Sequence, residues 1–170
     1  MADIVLETER LYLRHLIPGD AGFIKRLLND PSYIRNIGDK KVRTNDDARD
    51  YIRNGPMASY DKNGFGLFCV ELKTTRNPIG TCGLLKRDFL EFPDLGYAFL
   101  SGFQSKGYGY EAAQGVMAYS KKTLNIVKTA AIVNSDNPGS IRLLEKLGFA
   151  YKEIVMFPDT KKSVHLFMCG

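Results

Sequence analysis

The sequence is poor in imidazole and thiol: it has two histidines, His15 and His165, and three cysteines, Cys69, Cys82 and Cys169. The cysteines are odd in number, widely spaced and never form a C-x-x-C pair, which argues against both a disulfide framework and a zinc site. Reduced thiols buried in strands are the expectation. With so few imidazoles, a Cys–His nucleophile is disfavoured as well. No uninterrupted apolar run approaches the ~20 residues that cross a bilayer. The opening MADIVLETERLYLRHL carries acids early and alternates apolar with polar residues, unlike a secretory leader. A cytoplasmic location without a membrane partner is therefore expected. The net charge is +5, but the basic residues are scattered in pairs such as Lys40-Lys41, Lys121-Lys122 and Lys161-Lys162. No basic helix or aromatic RNA-binding motif accompanies them, so no nucleic-acid partner is expected. A solvated surface with some attraction for a polyanionic small ligand accounts for the charge.

Repeats, linkers and low-complexity segments are also missing. The chain has 170 residues, 44% of them hydrophobic, which is enough for one core without staples. A single domain over residues 1–170 is expected. Leu6 to Leu16 reads as a strand that Pro18-Gly19-Asp20 breaks, and Asp20 is placed to cap the helix AGFIKRLLND. Thr44 opens a second helix in which Asp46 and Asp47 suit the N-terminus, and Gly55-Pro56 should kink or break it. FGLFCVELK and IGTCGLLKRDF, separated by a turn, form a predicted hairpin, and DLGYAFL is a third strand. Gly107 to Lys122 reads as a helix, NIVKTAAIV as a strand, and Gly139 to Leu147 as a short helix stopped by Gly148. FAYKEIVMF and KSVHLFMC close the chain as strands. The predicted class is α+β, in the order β-α-α-β-β-β-α-β-α-β-β.

The chemistry centres on QSKGYGYEA, residues 104–112, between a strand and a helix. Free N–H groups at a helix start, with the helix dipole behind them, favour an anion, and glycines let a phosphate approach. A tight turn is the plain alternative. A P-loop is excluded, because Tyr-Gly follows Gly107 where Lys-Ser/Thr is required. Gly107-Tyr-Gly109-Tyr-Glu-Ala112 fits G-x-G-x-x-A. Here, however, the motif lies after four strands, and the next strand ends in Asn134 rather than an acid, unlike a dinucleotide fingerprint. Gln104-Ser-Lys-Gly107-Tyr-Gly109 matches in full a Gln/Arg-x-x-Gly-x-Gly/Ala pyrophosphate loop.

With that loop the sequence resembles the GNAT superfamily of acyl-CoA-dependent N-acetyltransferases. DNPGSIRLLEKLGFAYKE (Asp136–Glu153) resembles the family's second landmark, an Asn opening a helix that ends in Glu-Lys-Leu-Gly-Phe. LETERLYLRHLIPGDAGFIKRLLNDP (Leu6–Pro31) resembles the opening of the RimJ/RimL-like branch, which acetylates protein N-termini. The three segments come in family order and span nearly the whole chain.

The resemblance implies a mixed, mostly antiparallel central sheet with flanking helices. It also implies acetyl-CoA as co-substrate, no metal, and a primary amine as acceptor, either a peptide N-terminus or a small molecule, in a monomer or homodimer. The pyrophosphate would rest on the backbone of Gln104, Ser105, Lys106, Gly107, Tyr108, Gly109 and Tyr110. Phe99 and Leu100 would pair with the pantetheine arm, and Asn137 would reach it across a cleft. A plain N-cap followed by Pro138 is the alternative for Asn137. Transfer would be direct, so the attacking ammonium must first lose a proton. Many relatives carry a Tyr on the second motif's helix and a Glu on the strand before it. Here those positions hold Leu144 and Ile132 or Val133, so Ser140 is the remaining hydroxyl near the sulfur. Asp94 is the expected base, with His15, Glu91 and Tyr33 in reserve, and a solvated strand end is the alternative for Asp94 and Glu91. Two other functions compete: an acyl-CoA-binding module without turnover, suggested by the missing Tyr and Glu, and a nicotinamide-dependent enzyme, suggested by G-x-G-x-x-A alone.

Overall fold

In the computed structural model, which describes residues 2–170, the expected first strand is a hairpin instead. β1 (Ile4–Glu7) and β2 (Leu11–Arg14) pair antiparallel, with Glu7 opposite Tyr12. Thr8 accounts for the break. Its hydroxyl accepts the Leu11 N–H at 3.2 Å and donates to the Glu111 carboxylate, bonds that compete with a continuous strand.

Six further strands complete one sheet: β3 (Leu67–Leu72), β4 (Pro78–Leu85), β5 (Asp94–Phe99), β6 (Thr129–Val133), β7 (Ala150–Met156) and β8 (Ser163–Cys169). Their order is β1-β2-β3-β4-β5-β6-β8-β7. Every neighbouring pair is antiparallel except β5 and β6, which run parallel and meet only at Asp94 opposite Ala130. The sheet is therefore mixed and mostly antiparallel, as the sequence implies.

The helices are α1 (Ala21–Leu28), α2 (Pro31–Asn36), α3 (Asn45–Ile52), α4 (Ala58–Asn63), α5 (Tyr108–Lys122) and α6 (Pro138–Lys146). Asp20 makes no cap for α1. Its carboxylate takes the Ile17 N–H at 3.0 Å and the two Nη groups of Arg14 at 2.9 Å, because a buried guanidinium is a stronger partner than a free amide. Arg14 also meets Glu71 at 2.9 Å, joining β2, β3 and the start of α1 in one buried network. α2 has no clear apolar period and is set by its cap: Asp30 accepts the Ser32 N–H at 3.0 Å, with Pro31 in the first turn. Thr44 and Asp47 form a capping box at α3. The kink or break expected at Gly55-Pro56 takes the form of a widened π turn over Arg53–Met57, which carries α3 into α4.

One core lies between the sheet and α5 and α6, built from residues such as Leu13, Phe68, Leu95, Val116 and Leu144. The opposite face is covered by α1, α2 and α3 through Ile24, Leu27, Tyr33 and Ile52. A small third cluster of Leu90, Ala130 and Leu166 sits beside the contact between β5 and β6. Cys69 and Cys82 are buried in the sheet and Cys169 is half-buried, all as free thiols. Burial pushes the Cys69 thiol up to about 12 and Cys82 higher.

Gly83 of β4, opposite Gly96 of β5, permits a backbone approach that no side chain would allow. A Cβ there would lie 2.0 Å from the Gly66 carbonyl oxygen. Gly83→Ala should therefore cost roughly 1–3 kcal/mol by overpacking. Differential scanning calorimetry should show this as a melting point lower by roughly 2–12 °C.

Candidate active site

β5 and β6 are each held from their outer sides. β5 pairs with β4 from Gly80↔Phe99 to Leu85↔Asp94, and β6 pairs with β8 from Thr129↔Cys169 to Val133↔His165. Between them the Ala130 N–H donates to the Pro93 carbonyl at 2.8 Å, and beyond that point the strands separate. The result is a V-shaped split that closes at Asp94 and opens toward the end of β5.

The glycine loop lies at the open end. Gly107 adopts a left-handed conformation, with φ of 84°, as the N-cap of α5. An L side chain there would be strained. Ser105 is also left-handed, at φ 60°. The N–H groups from Ser105 to Tyr110 have no acceptor among the described residues. Six free donors at the start of a 15-residue helix form an anion cradle. Arg10, which the sequence did not single out, stands beside it: it donates to the Lys106 carbonyl at 3.2 Å and stacks over Tyr108 at 4.3 Å. Its Nε meets Glu111 at 2.7 Å. Burial alone would raise the Glu111 carboxyl, but hydrogen bonds from Thr8 and Arg10 outweigh this and lower it. The first hairpin is thereby tied to the loop.

Gln104 does not offer its side chain to a ligand. Its amide donates to the Phe99 carbonyl and to the Ser32 hydroxyl, both at 2.9 Å. Asp30 takes the Ser101 N–H at 2.9 Å and its hydroxyl. Burial pushes Asp30 up, but the hydrogen bonds from Ser101 and Ser32 bring it to about 2. At the other side of the split, Asn134 donates to the Asn36 carbonyl at 2.8 Å. α2 is thus pinned to the loop after β5 and to the end of β6.

The expected backbone partners of the pantetheine arm need one correction. The Leu100 N–H donates to Ile79 at 2.9 Å and so faces β4. By strand alternation, the edge facing the split is formed by Leu95, Tyr97 and Phe99. Asn137 caps α6, accepting the Ser140 N–H at 3.3 Å. The Ser140 hydroxyl hydrogen-bonds the Tyr97 hydroxyl, a link from α6 to β5 across the split. Burial pushes Tyr97 up to about 12, even though the Ser140 hydrogen bond works against this. Sequence reasoning missed Tyr97. Its alternation with Leu95 and Phe99 in DLGYAFL was the available signal, since it places the ring on the face toward α6. Leu144 is fully packed in the core.

Asp94, the expected base, lies at the closed end of the split. It is 1% exposed, with both oxygens 3.2 Å from the Nε of Arg87. Burial raises its pKa, against the attraction of Arg87. A carboxylate engaged in this way holds Arg87 in place, and accepting a proton would end that pairing. The reserves are no better placed. His15 stacks on Tyr60 with ring centroids 4.1 Å apart, Glu91 is exposed in the loop before β5, and Tyr33 is buried under α2. Two surface hollows of about 370 and 440 Å³ share Tyr51, Asn54 and Gly55 on the α3 side and do not touch the glycine loop. No cluster of metal-ligating side chains occurs among the described residues. Nor is any described helix long and apolar enough to cross a membrane.

Residues 10–150 match the model of the acetyltransferase (GNAT) domain. The chain belongs to the GNAT acetyltransferase family. Among its relatives is the uncharacterized N-acetyltransferase p20 of Bacillus licheniformis, 30% identical over 85% of this chain and 81% of that protein. The alpha-N-protein acetyltransferase RimL, solved in complex with coenzyme A, superposes with a TM-score of 0.83 at 12% identity, over 98% of this chain and 97% of that one. A chimera of the spermidine N-acetyltransferase SpeG from Vibrio cholerae and hSSAT superposes with a TM-score of 0.76 at 22% identity, over 94% of each chain. This acetyltransferase thus shares its fold with enzymes named for quite different amines, and the fold does not select among them.

Asn137→Ala should remove the cap of α6 at a cost of about 1 kcal/mol. Thermal denaturation of the free protein should record a melting point lower by roughly 2–4 °C.

Proposed function

We propose that this acetyltransferase moves the acetyl group of acetyl-CoA directly onto a peptide N-terminal α-amine. The supporting observation is the arrangement of the split: free N–H donors at its open end and the Tyr97–Ser140 hydroxyl pair across its middle. The donors from Ser105 to Tyr110 fit a pyrophosphate, with Lys106 and Arg10 adding charge. The edge of β5 at Tyr97 and Phe99 would offer its N–H groups to an extended amide chain, with Asn137 reaching that chain from the start of α6. The chemistry is a single exchange. The amine nitrogen bonds to the thioester carbonyl carbon, the carbon–sulfur bond breaks with its electrons on sulfur, and the nitrogen's surplus proton goes to water. Ser140 and Tyr97 would donate to the departing thiolate, so a hydroxyl from β5 would take the role that Leu144 cannot.

The lack of an evident strong base favours an amine of low pKa. An α-amine titrates near ~7.7–8.0 and a lysine side chain near ~10.4. A useful fraction of the first is already neutral at physiological pH. Peptides with a free N-terminal Ser or Ala should therefore release CoA thiol faster than N-blocked lysine peptides or spermidine. Faster turnover of the latter two would refute the assignment.

Acetyl-CoA at ~100 times its dissociation constant should add about 2.7 kcal/mol of stability. This corresponds to a melting shift of roughly 5–10 °C. Gly107→Val, strained at positive φ and crowding the cradle, should eliminate the shift. A shift with NADH and none with CoA would reject the acyl-CoA reading.

The pH profile follows from Tyr97. Its active form is protonated, and its pKa is raised to about 12, so donation persists through neutral and moderately alkaline pH and fails only near that value. The turnover rate should climb as the α-amine loses its proton and then stay level to pH ~10. Tyr97→Phe should lower kcat by about 100-fold. A fall between pH 8 and 10 in the wild-type profile would exclude Tyr97 as the donor.

A further inference from the structure

The strongest unexplained feature is Arg87, at the closed end of the split and on the face of β5 opposite Tyr97. Its Nε is fixed by both oxygens of Asp94 at 3.2 Å, and its guanidinium lies over the Phe157 ring at 5.3 Å. Among the described residues both interactions leave the Nη groups without a partner: the hydrogen bonds of Arg87 leave from Nε alone, and the side chain is 29% exposed. A guanidinium fixed along one edge presents its other edge as a rigid fork, the geometry that carboxylates accept. The surroundings add positive charge. Lys86 donates to the Leu90 carbonyl at 3.3 Å. Lys40, from the segment after α2, appears in none of the eight ion pairs among the described residues. Crowding first, and then repulsion from Arg87, lower the pKa of Lys40, with Asp159 opposing. Tyr33 and Tyr51 also lie within the field of Arg87. Asp94 is already committed, and Glu91 is exposed. Asp159, Asp47 and Asp50 lie around Lys40, so the fixed fork of Arg87, rather than the summed charge, is what an incoming anion meets here.

We infer that Arg87, oriented by Asp94 and assisted by Lys40, recognises a carboxylate on the acceptor, so that the preferred substrate is a peptide with an acidic side chain close to its N-terminal amine. The inference rests on the acetyl-transfer reading above. The spacing sets the position of the acid. Asp94 and Tyr97 are three residues apart on β5, a backbone spacing of roughly 10 Å, with side chains on opposite faces, so the peptide would pass through the split between them. An extended peptide covers the same distance in about three residues, which puts the acid at the second or third position. A free amino acid is too short to bridge the two points, and a polyamine meets like charge.

The test uses dye-labelled N-acetylated peptides, the products of the reaction, titrated with CoA present, so that no turnover is needed. Three Ser-initiated sequences differ only at positions two and three, which are both Asp, both Asn or both Lys. The acidic product should bind about five- to tenfold more tightly than the basic one at low ionic strength, with the gap narrowing in salt. Arg87→Lys should narrow the gap and Arg87→Met should remove it. Should Arg87→Met fail to fold because Asp94 is left unpaired, Lys40→Glu at the rim should still narrow or invert the preference. In turnover, Asp94→Asn should raise KM for the acidic peptide more than for the basic one. Equal binding of the three peptides, or a preference unchanged in every variant, overturns the inference. Turnover of free aspartate matching that of the acidic peptide overturns the spacing. Selective binding without acetylation of any peptide would instead overturn the transfer reading and leave this recognition standing. Acetylation without selectivity would do the reverse.

Discussion

β5 and β6 touch at one residue pair, and the active site depends on their not touching at a second. Each strand satisfies its outer edge with an antiparallel neighbour, so the gap between them costs only the inner edges of Tyr97, Phe99 and the end of β6. Unpaired backbone polar groups are tolerated where water or a ligand reaches them. The closed end is secured by apolar packing of Leu90, Ala130 and Leu166 and by the Pro93 carbonyl. At the open end Phe99 and Val133 pack separately into the main core. That end is spanned by polar bonds instead, from α2 to Ser101, Gln104 and Asn134.

This division has a mechanical meaning. Apolar contacts fix the vertex of the V, and exchangeable hydrogen bonds set its opening. α2 has six residues and belongs to the apolar layer mainly through Tyr33, so its position depends largely on the side chains of Asp30 and Ser32 and the Asn36 carbonyl. The groups that would contact the two substrates therefore come from both sheet faces and are linked through a short helix.

What could be read from the sequence was local. The glycine loop, the Asn137 cap and the stop at Gly148 each declare themselves within a few residues, because a left-handed position or a free N–H is a property of a short segment. The pairs that complete the site are distant in the chain. Tyr97 and Ser140 are 43 residues apart, and Arg10 and Glu111 are 101 apart. No periodicity links such partners. Arg87 and Asp94 are near neighbours in sequence, yet nothing in that stretch shows that β6 closes against them. Asp94 was therefore read as the base, with a solvated strand end as the alternative, and its pairing with Arg87 was not foreseen. Asp20 was misread for a similar reason, since Arg14 competes for it more strongly than the helix amides do.

The thiols have a practical consequence. Burial holds Cys69 and Cys82 in the unreactive neutral form, whereas Cys169 is half-buried at the end of β8, opposite Thr129 of β6. Reagents that need a thiolate will therefore select Cys169. The native chain thus carries its own attachment point for a fluorophore or spin label, on the strand that supports β6, where a change in the width of the split would be read without engineering a cysteine.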